Sequence, residues 1–197
     1  MKLDQKIYNL SHPRNQLNLY GYAEYFNYFK KLYISKKLPN VILLNGNKGL
    51  GKATFAYHFT NFILSDIKSN EYSVDNFSIN SDSTTHKHIC NNTHPNFFLL
   101  DNPEGDEKVK ISQTRNLINF LNKSTHNKNL KVVIIDNVEF LNVNSSNALL
   151  KSLEEPSFDT YYFIINSNTR ILETIKSRSI QFDIFLDKEN RKKILTY

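Results

Sequence analysis

An α/β fold, with a parallel sheet of about five strands flanked by helices, is predicted by three features of this sequence. Short apolar runs recur at Val41 to Leu44, Phe97 to Leu100, Val132 to Ile135, Tyr161 to Ile165 and Ile180 to Ile184. The first four are continuous rather than alternating, as expected for strands covered on both faces. Segments of helical spacing separate them. Polar or Gly-rich residues follow several of the runs, which sets ligand groups along one edge of the sheet.

Taken in order, residues 11 to 22 form an extended lead-in. A helix is expected from Ala23 to Ser35, because Tyr25, Phe26, Phe29, Leu32 and Tyr33 make an apolar stripe. Lys36-Lys37-Leu38-Pro39 breaks it and feeds the first strand. A second helix follows Gly51, with Phe55, Ala56, Phe59, Phe62 and Ile63 on one face. From Ser65 to Asn92 the chain is rich in Ser, Asn, Asp and Thr without periodicity, so it reads as a long, partly mobile surface insertion. After the Phe97 strand, a helix from Ile111 to Leu121 points Leu117 inward and Arg115 outward. The Val132 strand, a helix over 145–155 halted by Pro156, the Tyr161 strand, a short helix near 171–176 and the Ile180 strand complete the core. The expected organisation is therefore a lead-in and helix over 1–40, a core over 41–186 with a polar insertion at about 65–92, and the beginning of a further helical segment over 187–197.

The run Val41 to Thr54 carries the clearest chemistry. Strand, Gly-rich turn and helix appear in the order that a phosphate-binding loop requires. Gly46, Gly49 and Gly51 let the backbone approach an anion, and Lys52 supplies a cation at the helix N-terminus. The motif G-x-x-x-x-G-K-S/T places a hydroxyl after the lysine to ligate Mg²⁺; here that position is Ala53. Thr54 stands one residue later, about 100° round the helix. ATP or ADP phosphates are thus expected ligands, with Mg²⁺ binding weakened. Asp136 ends the β-branched strand and is placed to hold a metal shell in such a site. The following residue is Asn137, which cannot act as a general base toward water. Asn166 is set at the same edge of the sheet.

The formal charge is +6 and the sequence pI about 9.2. That permits nucleic-acid contact, for which Lys108, Lys110 and Arg115 are candidates, but a solvated basic face reads equally well. No apolar run reaches the roughly 20 residues of a membrane span, and the N-terminus lacks a signal-peptide core, so a cytoplasmic chain without membrane contact is expected. The single Cys90 excludes an internal disulfide. His86, His88, Cys90 and His94 fit no standard zinc spacing, and zinc is not expected.

Asn147-Ala-Leu-Leu-Lys-Ser-Leu-Glu-Glu-Pro156 closely resembles the N-A-L-L-K-x-L-E-E-P signature of bacterial DNA polymerase III clamp-loader subunits, which are AAA+ phosphate-loop proteins. Ser177-Arg178-Ser179 resembles their S-R-C motif, and His12-Pro13-Arg14 with Gly21 resembles the approach segment of the delta-prime branch. The resemblance runs from about residue 12 to 190. It implies a non-hydrolysing subunit, consistent with Ala53 and Asn137, that works with gamma/tau and delta subunits to load the sliding clamp on primed DNA. It also implies that Arg178 reaches in trans toward ATP on a neighbouring subunit. The four zinc cysteines common in this family are reduced to Cys90, and 187–197 would begin a helical lid. Two other readings of the same residues are an active ATPase that recruits Mg²⁺ through Thr54, and a DNA-binding module without a nucleotide role.

Overall fold

The computed structural model describes residues 12–66, 70–101, 111–125, 130–136, 138, 141, 143–156, 159–167 and 171–186. Five parallel strands form the sheet: β1 (Val41–Asn45), β4 (Phe97–Leu100), β5 (Lys131–Ile135), β6 (Thr160–Asn166) and β7 (Ile180–Asp183). Their spatial order is β4-β5-β6-β1-β7. Registers such as Leu43 with Ile164 and Val133 with Tyr162 bring the carboxyl ends of β1, β5 and β6 to one edge.

The side-chain period of two distributes β1, β5 and β6 between two cores. On one face Ile42, Leu44, Val132, Ile134, Phe163 and Ile165 pack under α1 (Ala23–Ile34) and α2 (Lys52–Leu64). On the other, Val41, Leu43, Val133, Ile135, Tyr162 and Ile164 meet Leu117 of α4 (Ile111–Asn122), Leu149 and Leu153 of α5 (Val143–Glu154), and Ile175 of α6 (Glu173–Lys176). Burial on both faces is why β1, β5 and β6 show no polar alternation, whereas β7, at the sheet edge and mostly exposed, alternates. Among the described residues, no helix is long and apolar enough to cross a membrane.

Helix α1 buries Phe26 and Phe29 and ends where the sequence places its break. Lys36 adopts φ 56°, its N–H donates to the Tyr33 carbonyl, and Lys37 N–H reaches back to Leu32 O at 2.8 Å. This is a Schellman closure made without glycine.

Two expectations are corrected. The stretch read as an irregular insertion contains a two-stranded hairpin, β2 (Tyr72–Ser73) with β3 (Ser78–Ile79), and a helix, α3 (Thr84–Cys90). These elements are too short to display a hydrophobic period; polar caps hold them instead. Glu71 accepts from Thr84 Oγ1, Thr85 Oγ1 and Thr85 N–H at 2.8–3.2 Å, while Ser83 Oγ accepts from His86 N–H. Second, α2 is buried on most of its surface rather than on one face, since Tyr57, His58, Thr60 and Asn61 are as inaccessible as Phe55 and Phe59. The hairpin and the lead-in cover its outer side. Phe26 stacks on Tyr72, and His58 bonds Tyr72 Oη and Gln16 O. The motif His12-Pro13-Arg14 anchors this cover: Arg14 Nη1 donates to Cys90 O, and Cys90 Sγ donates to Arg14 O.

Lys131 opens β5 almost fully buried. Its ammonium donates to Phe120 O and Leu121 O at 2.9 and 2.6 Å, and also to Lys123 O, so a strand residue closes the C-terminal end of α4. Substituting Lys131→Met leaves those carbonyls without their donor; an unfolding free energy lower by about 2–4 kcal/mol is expected from urea denaturation.

Burial holds His58 down to about pH 4 against an ordinary 6.5, with the Gln16 carbonyl opposing that shift and His86 adding to it. The unfolded chain therefore takes up a proton between pH 6.5 and 4 that the folded chain refuses, and stability should decline across that window by up to about 3 kcal/mol. Glu71 extends the decline below it. Burial pushes its carboxyl up, but the donors from Thr85, Thr84 and Ser83 prevail and hold it near 2, so its contribution is lost as pH falls from 4.5. Urea unfolding followed from pH 7.5 to 4 should show the loss, and His58→Gln should remove the larger part of the slope.

Candidate functional site

The phosphate-type loop leaves the carboxyl end of β1 and turns into α2. Gly46, Gly49 and Gly51 have φ of 151°, 83° and 86°, values that side chains rarely adopt. Space reinforces this at Gly46, where an added Cβ would lie 2.9 Å from Ile184 O. Gly51 is the N-cap of α2, and a Cβ there would contact the Tyr22 ring at 3.5 Å.

Lys52 is 3 % exposed, and its ammonium donates to Gly46 O and Asn47 O, both at 2.8 Å. The cation expected to meet phosphate is turned onto carbonyls of its own loop. Ala53 packs beside the apolar cluster under α1 and presents no oxygen for a metal. Thr54 follows it and is only partly buried.

Tyr22, which the sequence did not single out, braces this loop. Its hydroxyl donates to Leu50 O at 2.6 Å, and its ring stacks on Phe55 with 5.3 Å between centroids. Burial pushes the phenol well above its usual range, so it stays a donor. The only hint in the sequence is Gly21 beside it, which takes φ 76° as the chain swings into α1.

Beside the loop runs a row of amides. Asn166 Nδ2 donates to Asn45 Oδ1 at 3.1 Å, and Asn45 Nδ2 donates to Gln181 Oε1 at 3.2 Å. Because β6 lies between β1 and β5, Asn166 ends its strand between the loop and Asp136. Asp136 N–H donates to Leu100 O at 3.0 Å, which fixes its backbone at the same edge. Asn45 and Gln181 were not anticipated; their role follows from strand order, which residue type does not reveal.

Arg178 is placed elsewhere. It follows α6 on the face opposite α2, where Nε and Nη2 donate to Glu154 Oε1 and Nη1 donates to Thr174 O at 2.8 Å. The flanking Ser177 and Ser179 hydroxyls donate to Thr174 O and Ile175 O, closing α6. Arg115 is exposed on α4. Lys108, Lys110 and Asn137 lie outside the described residues. The four residues weighed for zinc have local roles: His86 Nε2 is 3.5 Å from Cys90 Sγ, His88 pairs with Thr93, and His94 Nδ1 accepts from Asn96 N–H. Among the described residues, no three potential metal ligands cluster.

Comparison with known proteins agrees with this architecture. Residues 21–187 match the family model described as DNA polymerase III, delta subunit. A DNA polymerase III subunit delta' from Pseudomonas aeruginosa is 34% identical over 140 residues, covering 71% of this chain and 41% of its own length. One from Buchnera aphidicola is 28% identical over 188 residues, covering 89% and 53%. The chain thus spans about half the length of the curated relatives it matches. Among solved structures, a DNA polymerase III gamma subunit-related protein of Thermotoga maritima superposes with TM-score 0.57 at 22% identity, covering 85% of this chain and 49% of its own. The RuvB Holliday junction branch migration motor of the same organism gives TM-score 0.55 at 16% identity, covering 94% and 53%. Those two show the fold alone, a parallel sheet flanked by helices. With the family match spanning nearly all of the described core, the chain belongs to the DNA polymerase III delta-subunit family, and delta' subunits are among its relatives.

Proposed function

We propose that this chain is a non-hydrolysing subunit of a bacterial clamp loader. In this reading it assembles with gamma/tau-type and delta-type subunits, helps load the sliding clamp on primed DNA, and lends Arg178 to ATP bound by a neighbour. One observation carries the non-hydrolysing part: the Lys52 ammonium is satisfied by Gly46 O and Asn47 O, beside an alanine where a metal-ligating hydroxyl belongs. A nucleotide would have to displace those carbonyls. The Gly-rich turn and Lys52 suit ATP or ADP phosphates, whereas Ala53 does not suit the metal, so this loop is assigned at most a holding role. Family membership supports the assembly part.

An arginine delivered in trans stabilises charge that builds on the γ-phosphate during transfer, an effect on the order of 10³–10⁵ in rate when the finger is essential. Arg178 is suited to this by position, since it stands outside the helices' packed faces and its side chain keeps some exposure. The chain's own loop and its arginine would then serve different nucleotides.

The test is ATP hydrolysis by the gamma-type and delta-type subunits from the same cell, with primed DNA and clamp, to which this chain is added. Wild type should raise turnover and Arg178→Ala should lose at least tenfold of that gain. Lys52→Ala should stimulate within twofold of wild type, and the chain alone should release no phosphate above background. Mg²⁺-dependent turnover by the chain alone that Lys52→Ala abolishes would overturn the reading in favour of an active ATPase. Salt-sensitive duplex binding by the lone chain without stimulation would favour a DNA-binding module.

A further inference from the structure

The clamp-loader reading leaves Glu154 without a role, although it lies within the Asn147-to-Pro156 signature. Its position is unusual on electrostatic grounds. Glu154 is the last residue of α5, and a carboxylate there faces the negative end of the helix dipole. What it does hold is the guanidinium of Arg178, 24 residues further along the chain.

The contact engages most of the arginine. Nε and Nη2 both donate to Glu154 Oε1, and Nη1 donates to Thr174 O and Ser177 Oγ. Four of the five guanidinium N–H donors are thereby committed within the chain. A guanidinium presented to phosphate offers two parallel N–H donors in a fork. In this arrangement the side chain lies back across the ends of α5 and α6, and both edges of the fork are occupied.

We propose that Glu154 parks the finger: its carboxylate holds Arg178 in cis until the γ-phosphate on a neighbouring subunit takes its place. This rests on the trans role proposed for Arg178. The exchange suits the exposure of the pair, whose side chains are 27% and 47% accessible for Arg178 and Glu154. An ion pair this open to water is worth little on its own and is readily traded. A phosphate carries more charge than a carboxylate and can accept from the same donors. The parked state also keeps the guanidinium from binding other anions before assembly.

Glu154→Gln keeps the shape of the side chain and removes its charge. In the assembled loader, it should lower the concentration of this chain needed for half-maximal stimulation of ATP hydrolysis by about two- to fivefold, the range that loss of an exposed ion pair allows. The plateau should be at least that of wild type. Adding the substitution to Arg178→Ala should shift nothing. An unchanged or higher half-maximal concentration overturns parking, and a lowered plateau would make Glu154 a group that orients the finger.

A second readout is independent of assembly. The Nε–Hε resonance of Arg178 in the free chain should exchange with water at neutral pH about two- to fivefold more slowly than in Glu154→Gln, the protection that an exposed ion pair allows. Equal exchange in both forms overturns the proposal even if the loader responds. If the resonance behaves as expected but Arg178→Ala stimulates like wild type, the trans role fails instead. The pair is then a structural one.

Discussion

Strand β1 is hydrogen-bonded on both sides, to β6 and to β7, and the rest of the molecule depends on that double pairing. Because both neighbours run parallel to it, β1 delivers its loop to the same edge at which they end. Ile184 N–H donates to Asn45 O at 2.8 Å, and Gly46 passes so close to Ile184 O that no side chain fits between. The loop is therefore shaped from one side by the continuation of β7 and from the other by Tyr22. Its conformation is set by the sheet and the lead-in, before any ligand is considered.

Several cations among the described residues share one physical solution. Lys52, Lys131 and Arg178 each donate to backbone carbonyls of the chain, and Arg178 also to a carboxylate. A buried or half-buried cation needs such acceptors, because losing water without replacement is costly. The consequences differ with place. At Lys131 the arrangement is permanent, since it ties β5 to the end of α4. At Lys52 and Arg178 it occupies groups that phosphate would otherwise engage, which makes each a competition between internal and external oxygen.

Polar residues also do structural work in the region after α2. Glu71, Ser83, Thr84 and Thr85 form a capping network around the first turn of α3, and His58 joins α2 to both the hairpin and the lead-in. The hydrophobic share comes from Phe26 against Tyr72 and Phe77. A segment that looks like solvent-exposed linker by composition thus buries one side of α2. Its own stability is coupled to the protonation of His58, His86 and Glu71.

The sequence alone determined the strand and helix succession, the loop and the family signature. Those are carried by local pattern: apolar runs such as Val132 to Ile135, the glycines with Lys52, and the uninterrupted string from Asn147 to Pro156. It could not determine that the insertion folds over α2, because the elements there are shorter than any period and are held by caps whose partners lie up to 14 residues away. Nor could it foresee the Tyr22 brace, the Asn166–Asn45–Gln181 row, or the pairing of Glu154 with Arg178. Each joins residues that the chain separates and strand order reunites. Tertiary structure alone decided them, since which polar groups meet depends on register and packing, whereas pattern records only which residues seek the interior.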